Sequence, residues 1–161
     1  MLKIILFISL VNLTLMAETI FFREGKFVES IELYTYRDGN VTYEKDKTTV
    51  AYKDGRTIVK NENNVTVYDD ENEVLTVINL LEKPEIGLYF SLTKALFQKD
   101  FESLKENFEI KKVKERLFEF MPKGDVEKFI EKLELYLDKE DKVEVLKLEF
   151  TNGDKIKIEA K

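Results

Sequence analysis

Between Lys26 and Asn79 the chain alternates apolar and polar residues over runs of strand length: Lys26–Tyr36, Asn40–Lys45, Thr48–Lys53, Arg56–Lys60, Asn64–Tyr68 and Glu73–Ile78. Each run is too short for a stable helix and long enough for a strand, so the segment predicts a meander of antiparallel strands. Asp38-Gly39 and Asp54-Gly55 supply residues that tolerate positive φ and predict type I′ hairpin turns, which would pin register between consecutive strands. Thr19 to Phe22, ahead of the meander, reads as a short edge strand.

The phase of the alternation says what each face meets. Val41 and Tyr43, Val50 and Tyr52, and Val65 and Val67 alternate with Thr or charged positions, the pattern of a sheet with one dry and one wet face. Lys26–Tyr36 differs: Phe27, Ile31 and Leu33 fall on one phase and Val28, Tyr34 and Tyr36 on the other. Apolar residues on both phases predict a strand with a core on one side and a wall or lid on the other.

At Pro84 the period changes. Proline suits the first turn of a helix, and Leu88, Tyr89, Leu92, Ala95 and Leu96 then recur at spacings of three and four through Phe97. A second helical piece is expected over Asp100–Glu106. The strand period resumes at Phe108–Val113, Arg116–Met121, Lys132–Leu137, Val143–Phe150 and Lys155–Ala160, with Asn152-Gly153 the clearest hairpin signal. Val126–Ile130 reads as a turn flowing into a strand. Many short strands and one helical insert predict a mainly β fold, an incomplete curved antiparallel barrel with a helical lid.

Met1 to Ala17 has the three parts of a secretory signal: Lys3, the apolar run Ile4–Met16 interrupted by Ser9 and Asn12, and Ala17 before a cleavage point ahead of Glu18. The run falls short of the about twenty residues that a bilayer-spanning helix needs. A cleaved signal on residues 1–17, a single domain on residues 18–161 and export are therefore expected, with no cysteine available for lipid attachment.

Composition narrows the chemistry. With no His and no Cys, the common nucleophilic triads, thiolate chemistry and usual zinc sites are closed off. No phosphate-binding glycine loop or other cofactor motif is visible, and the Asp and Glu clusters, such as Asp69-Asp70-Glu71, sit in turns. The expectation is a protein that is not an enzyme, holds no cofactor and no metal, and acts as a monomer. An excess of 32 Asp and Glu over 26 Lys and Arg argues against nucleic acid as a partner.

What stands out is apolar. Phe27, Ile31, Leu33, Tyr43, Tyr52, Phe118 and Phe120 on strands, with Tyr89, Leu92 and Leu96 on the helix, exceed what one thin sheet needs on one face. They are the candidate lining of a cavity between sheet and helix. A concave apolar site favours acyl chains by area burial, at about 0.8 kcal/mol per CH₂. An exported β domain that binds proteins through the same sheet, without lipid cargo, is the alternative.

The hairpin patterns from Asp38-Gly39-Asn40-Val41 through Asp54-Gly55-Arg56-Thr57-Ile58, Val67-Tyr68-Asp69, Leu117–Pro122, Leu133–Asp138, and Val145–Phe150 with Asn152-Gly153 resemble the LolA family of periplasmic lipoprotein carriers. The resemblance spans Phe27 to Ile158. It implies an incomplete barrel with a helical lid over an apolar cavity. It further implies that lipoprotein acyl chains are accepted from an inner-membrane lipoprotein-release ABC complex and passed to an outer-membrane lipoprotein receptor. Two features depart from the family pattern: only Glu18–Gly25 is available where members carry a substantial first helix, and neither Arg37 nor Arg56 matches the family's lid-tying arginine.

Overall fold

A computed structural model describes residues 17–161; residues 1–16, and with them nearly all of the expected signal, lie outside the described residues. The described residues form one sheet of 11 strands in the order β6-β5-β4-β3-β2-β1-β11-β10-β9-β8-β7. The strands are β1 (Glu18–Val28), β2 (Leu33–Tyr43), β3 (Thr48–Tyr52), β4 (Thr57–Lys60), β5 (Asn64–Tyr68), β6 (Val74–Asn79), β7 (Phe108–Lys114), β8 (Leu117–Pro122), β9 (Ile130–Leu137), β10 (Val143–Phe150) and β11 (Lys155–Ala160). Two antiparallel meanders are therefore joined through the pairing of β1 with β11. β6 and β7 lie at the two ends of this order and do not pair with each other, so the sheet is an unclosed barrel. Between them in sequence lie helices α1 (Pro84–Phe97) and α2 (Phe101–Leu104).

Most of the expected strands and both helical pieces occur where the periodicity places them. The β3–β4 reversal falls at Asp54-Gly55 as expected but is not a type I′ turn: Gly55 has φ +92°, Asp54 does not have a positive φ, and the Tyr52 carbonyl accepts from the Gly55 N–H at 3.1 Å. Val126–Ile130 divides into a 3₁₀ turn over Gly124–Lys128 and the start of β9.

Three further expectations are corrected. Lys26–Tyr36 is not one strand: β1 ends at Val28, a 3₁₀ turn covers Glu29–Ile31, and Glu32 takes a left-handed conformation at φ 49° before β2 begins. The apolar residues on both phases thus belong to two antiparallel strands. Thr19–Phe22 is no edge piece, since the β1 strand that contains it pairs with β2 and β11. Asp38-Gly39 is not a turn but the middle of β2, paired with Arg23 and Phe22 of β1. Gly39 is needed there for close approach, because a Cβ would stand 2.6 Å from the Ala51 carbonyl oxygen on β3. Asp38 accepts from both Arg23 Nε (2.9 Å) and Lys161 Nζ (2.6 Å), which hold its carboxyl below the usual carboxylate range.

The core follows the sheet's concave side. Phe22, Val41, Tyr43, Val50 and Val65 of the first meander and Phe120, Leu133, Leu135, Leu146 and Leu148 of the second are buried together with Phe90, Leu92, Leu96 and Phe97 of α1. α2 is held by Phe101, whose ring lies 5.5 Å from that of Phe118 and 5.6 Å from that of Phe120. Its first turn is capped by Asp100, which accepts from the Ser103 N–H at 3.3 Å.

Candidate functional site

Proline at the first helical position starts α1 without losing a backbone bond, and the helix then presents Tyr89, Phe90, Thr93 and Phe97 to the concave face. Opposite them stand Phe22 and Glu24 of β1, Val41 and Tyr43 of β2, Thr48, Val50 and Tyr52 of β3, Ile58 of β4 and Ile158 of β11. These side chains enclose a cavity of about 60 Å³. Strand residues reach it at every second position, as the pleat requires. Outside, an open groove of about 410 Å³ runs past Ile86, Tyr89, Phe129, Phe150 and Ile156. Tyr89 lines both.

One charged side chain faces this apolar space. Glu24 is partly buried, and the Tyr52 hydroxyl donates toward its two carboxylate oxygens at 3.3 and 3.4 Å. Burial raises the Glu24 pKa, while the Tyr52 hydroxyl, Arg37 and Lys26 only partly offset that cost. Arg37 pairs with Glu24 across β1 and β2 and sets its guanidinium over the Tyr52 ring, 5.4 Å from the centroid. Burial also pushes the hydroxyls of Tyr43, Tyr52 and Tyr89 well up, so all three remain donors at neutral pH. Thr93 settles its own hydroxyl inside α1, donating to the Tyr89 and Phe90 carbonyls.

A carboxyl whose pKa is higher folded than unfolded favours the fold below its unfolded value, and that advantage disappears as pH rises through the folded value. Glu24→Gln should therefore be more stable than the parent at neutral pH, and the gap should close on acidification toward pH 4.5, the ordinary value for the group. Urea unfolding at several pH values checks this. A gap that widens toward acid would contradict the assigned burial cost.

α1 is tied to the sheet by few polar contacts. Lys94 Nζ donates to the Glu44 carbonyl at 2.9 Å and the Lys45 carbonyl at 3.3 Å, at the β2–β3 turn. The remaining contacts named around the cavity are mainly apolar, including the Tyr43 and Phe97 rings at 6.4 Å. Among the described residues α1 makes no ion pair with the sheet, and Phe90, Leu92, Ala95, Leu96 and Phe97 bury its apolar face.

Of the residues expected to line a cavity, Tyr43, Tyr52 and Tyr89 meet in it. Leu92 and Leu96 are on the same helix but lie in the solid core, at 2% and 0% exposure. Phe118 and Phe120 pack beneath α2. Phe27, Ile31 and Leu33 sit at the far end of the β1–β2 hairpin, where Phe27 stacks with Tyr34 at 4.7 Å and Ile31 and Leu33 are exposed. Sequence reasoning missed Phe22 and Glu24, although the alternation Ile20, Phe22, Glu24 carried their phase, and it missed Phe90, Thr93 and Ile158.

No protein-family model matches the chain, and no curated protein matches it. Among solved structures, the chain is similar to a LolA superfamily protein from Nitrosomonas europaea, with 6% sequence identity, a TM-score of 0.41, and coverage of 90% of this chain and 84% of that one. It is also similar to a domain described as an outer-membrane lipoprotein-sorting protein from Vibrio parahaemolyticus, with 10% identity, a TM-score of 0.40, and coverage of 88% and 82%.

Proposed function

We propose that this protein is a periplasmic carrier that shields the acyl chains of lipoproteins beneath α1 while they cross between the inner and outer membranes. The observation that carries the reading is the apolar cavity with a single helix as one wall. At about 60 Å³ it is far smaller than the about 300 Å³ at which ligand pockets usually begin, so cargo enters only as α1 moves away from the sheet. The outer groove beside Tyr89 offers the first apolar surface, and the inner cavity extends it once Tyr89 swings aside.

Loose binding suits such a role. Each buried CH₂ contributes about 0.8 kcal/mol, and parting α1 from the sheet offsets much of that gain, leaving the chain transferable to a stronger acceptor. An inner-membrane lipoprotein-release ABC complex is the donor in this scheme and an outer-membrane lipoprotein receptor the acceptor. Protein recovered from its native periplasm under gentle conditions should carry lipoprotein or lipid detectable by native mass spectrometry.

A cargo-free interaction domain is the second reading, and the small cavity favours it. So does β6, an edge strand that exposes Val74, Leu75 and Val77, whereas the opposite edge, β7, carries Lys111, Lys112 and Lys114. Repeated recovery of lipid-free protein would favour this reading over the carrier.

A further inference from the structure

We propose that Glu24 makes the cavity selective among acyl chains, favouring those whose head group carries a neutral hydrogen-bond donor, an amide N–H or a hydroxyl, over those ending in an ionised carboxylate. The inference rests on the carrier reading and specifies the cargo class of the same site.

An ionised carboxylate has about four lone-pair sites. Tyr52 brings one proton, shared at 3.3 and 3.4 Å between the two oxygens. Acceptor capacity therefore remains on a group whose other neighbours in the wall include Phe22, Val41, Val50 and Ile58. Both oxygens already have a partner in Tyr52, and a half-buried acceptor with spare capacity gains a further bond when a donor comes within reach. An amide N–H or hydroxyl at the head of an acyl chain supplies one when the chain lies along the apolar wall.

A second carboxylate meets the opposite situation. It brings like charge against Glu24 where surrounding side chains screen poorly, and it has no proton to give. The cations near Glu24 do not remove the conflict. Arg37 is engaged over the face of Tyr52, and Lys26 is exposed two residues along β1. An anionic head held by either cation stays at the rim, which leaves the first carbons of its chain in water. The tyrosines cannot substitute for them, because Tyr43, Tyr52 and Tyr89 carry no positive charge and all have raised pKa values.

The test compares two ligands of equal chain length, N-methyldodecanamide and dodecanoate, below their micellar concentrations at neutral pH. Displacement of the neutral fluorophore N-phenylnaphthylamine reads binding to the protein. The wild type should prefer the amide by about tenfold. In Glu24→Gln the preference should shrink to about twofold, mainly through tighter dodecanoate binding. Glu24→Leu, which also removes the charge, should show the same collapse and covers the case in which the glutamine variant does not fold.

Equal binding of the two ligands to the wild type would overturn the selectivity and leave the carrier reading standing. A preference that persists in both variants would also overturn it, since the ordinary cost of desolvating dodecanoate would then account for the difference. If fluorophore, amide and dodecanoate all fail to bind the wild type, the carrier reading falls and the selectivity falls with it.

Discussion

Phe120→Ala is expected to destabilise the fold by about 3–5 kcal/mol, the cost of truncating a fully buried aromatic ring. Phe120 is 0% exposed on β8, and its ring meets Phe101 of α2 edge-on at 5.6 Å and Phe108 of β7 at 6.3 Å. The substitution removes apolar area, opens a void and deletes two edge-to-face pairs, each contributing about 0.5–1.5 kcal/mol beyond area burial. Against a total stability of about 5–15 kcal/mol for a natural domain, that loss is large. Urea unfolding should show a much lower midpoint with an unchanged slope. A loss below about 1 kcal/mol would mean that α2 and this end of the sheet are not packed as described.

Gly39→Val is expected to cost about 3 kcal/mol, the upper end for overpacking a close-packed interior. A Cβ at this position would stand 2.6 Å from the Ala51 carbonyl oxygen, 3.2 Å from the Phe22 ring and 3.3 Å from the Tyr52 ring. The nearest of these atoms is backbone, so relief requires β2 and β3 to part where Gly39 pairs with Tyr52. Phe22 and Tyr52, whose rings meet edge-on at 6.0 Å, both line the cavity, so the substitution also disturbs its wall. Gly25→Ala is the control, because there the nearest contact is the exposed Tyr36 ring at 3.1 Å, which can shift. Thermal unfolding of both variants should show a much larger drop for Gly39→Val. Equal drops would remove the close approach as the reason for glycine at position 39.

These glycines show what the sequence could and could not convey. Asp54-Gly55 and Asp38-Gly39 present the same dipeptide between alternating runs, yet one reverses the chain and the other continues a strand. The difference lies in partners distant in sequence: Arg23 and Lys161 hold Asp38, and Ala51 crowds Gly39. No local window contains those partners. The reversal that does occur, between Val28 and Leu33, has no glycine, proline or asparagine to announce it and relies on Glu32 in a left-handed conformation. Two strands of opposite direction were thereby fused into one apparent strand with two apolar faces.

α1 was legible because Pro84 marks its start and the apolar spacing changes period there. The cavity was legible only in part. Tyr43 and Tyr52 shared the phase of the dry face and Tyr89 the apolar stripe of the helix, so pattern sufficed for them. Leu92 and Leu96 lie on the same helix and Phe118 and Phe120 on strands with a buried face, but which burial is core and which borders empty space depends on shape. Glu24 escaped notice because a charged residue in an alternating run ordinarily marks the wet face. It lies on the cavity side because it keeps the phase of Phe22, which the edge-strand reading had cut short.

In the proposed carrier an acyl chain enters only if α1 leaves the sheet, and hydrogen exchange of the α1 amides reports this directly. With a synthetic diacylated lipopeptide added in slight excess, one lipopeptide should bind per chain and exchange across Pro84–Phe97 should change, while β9 and β10 in the core keep their protection. Unchanged α1 exchange, with no lipopeptide retained, would contradict a cover that opens for cargo.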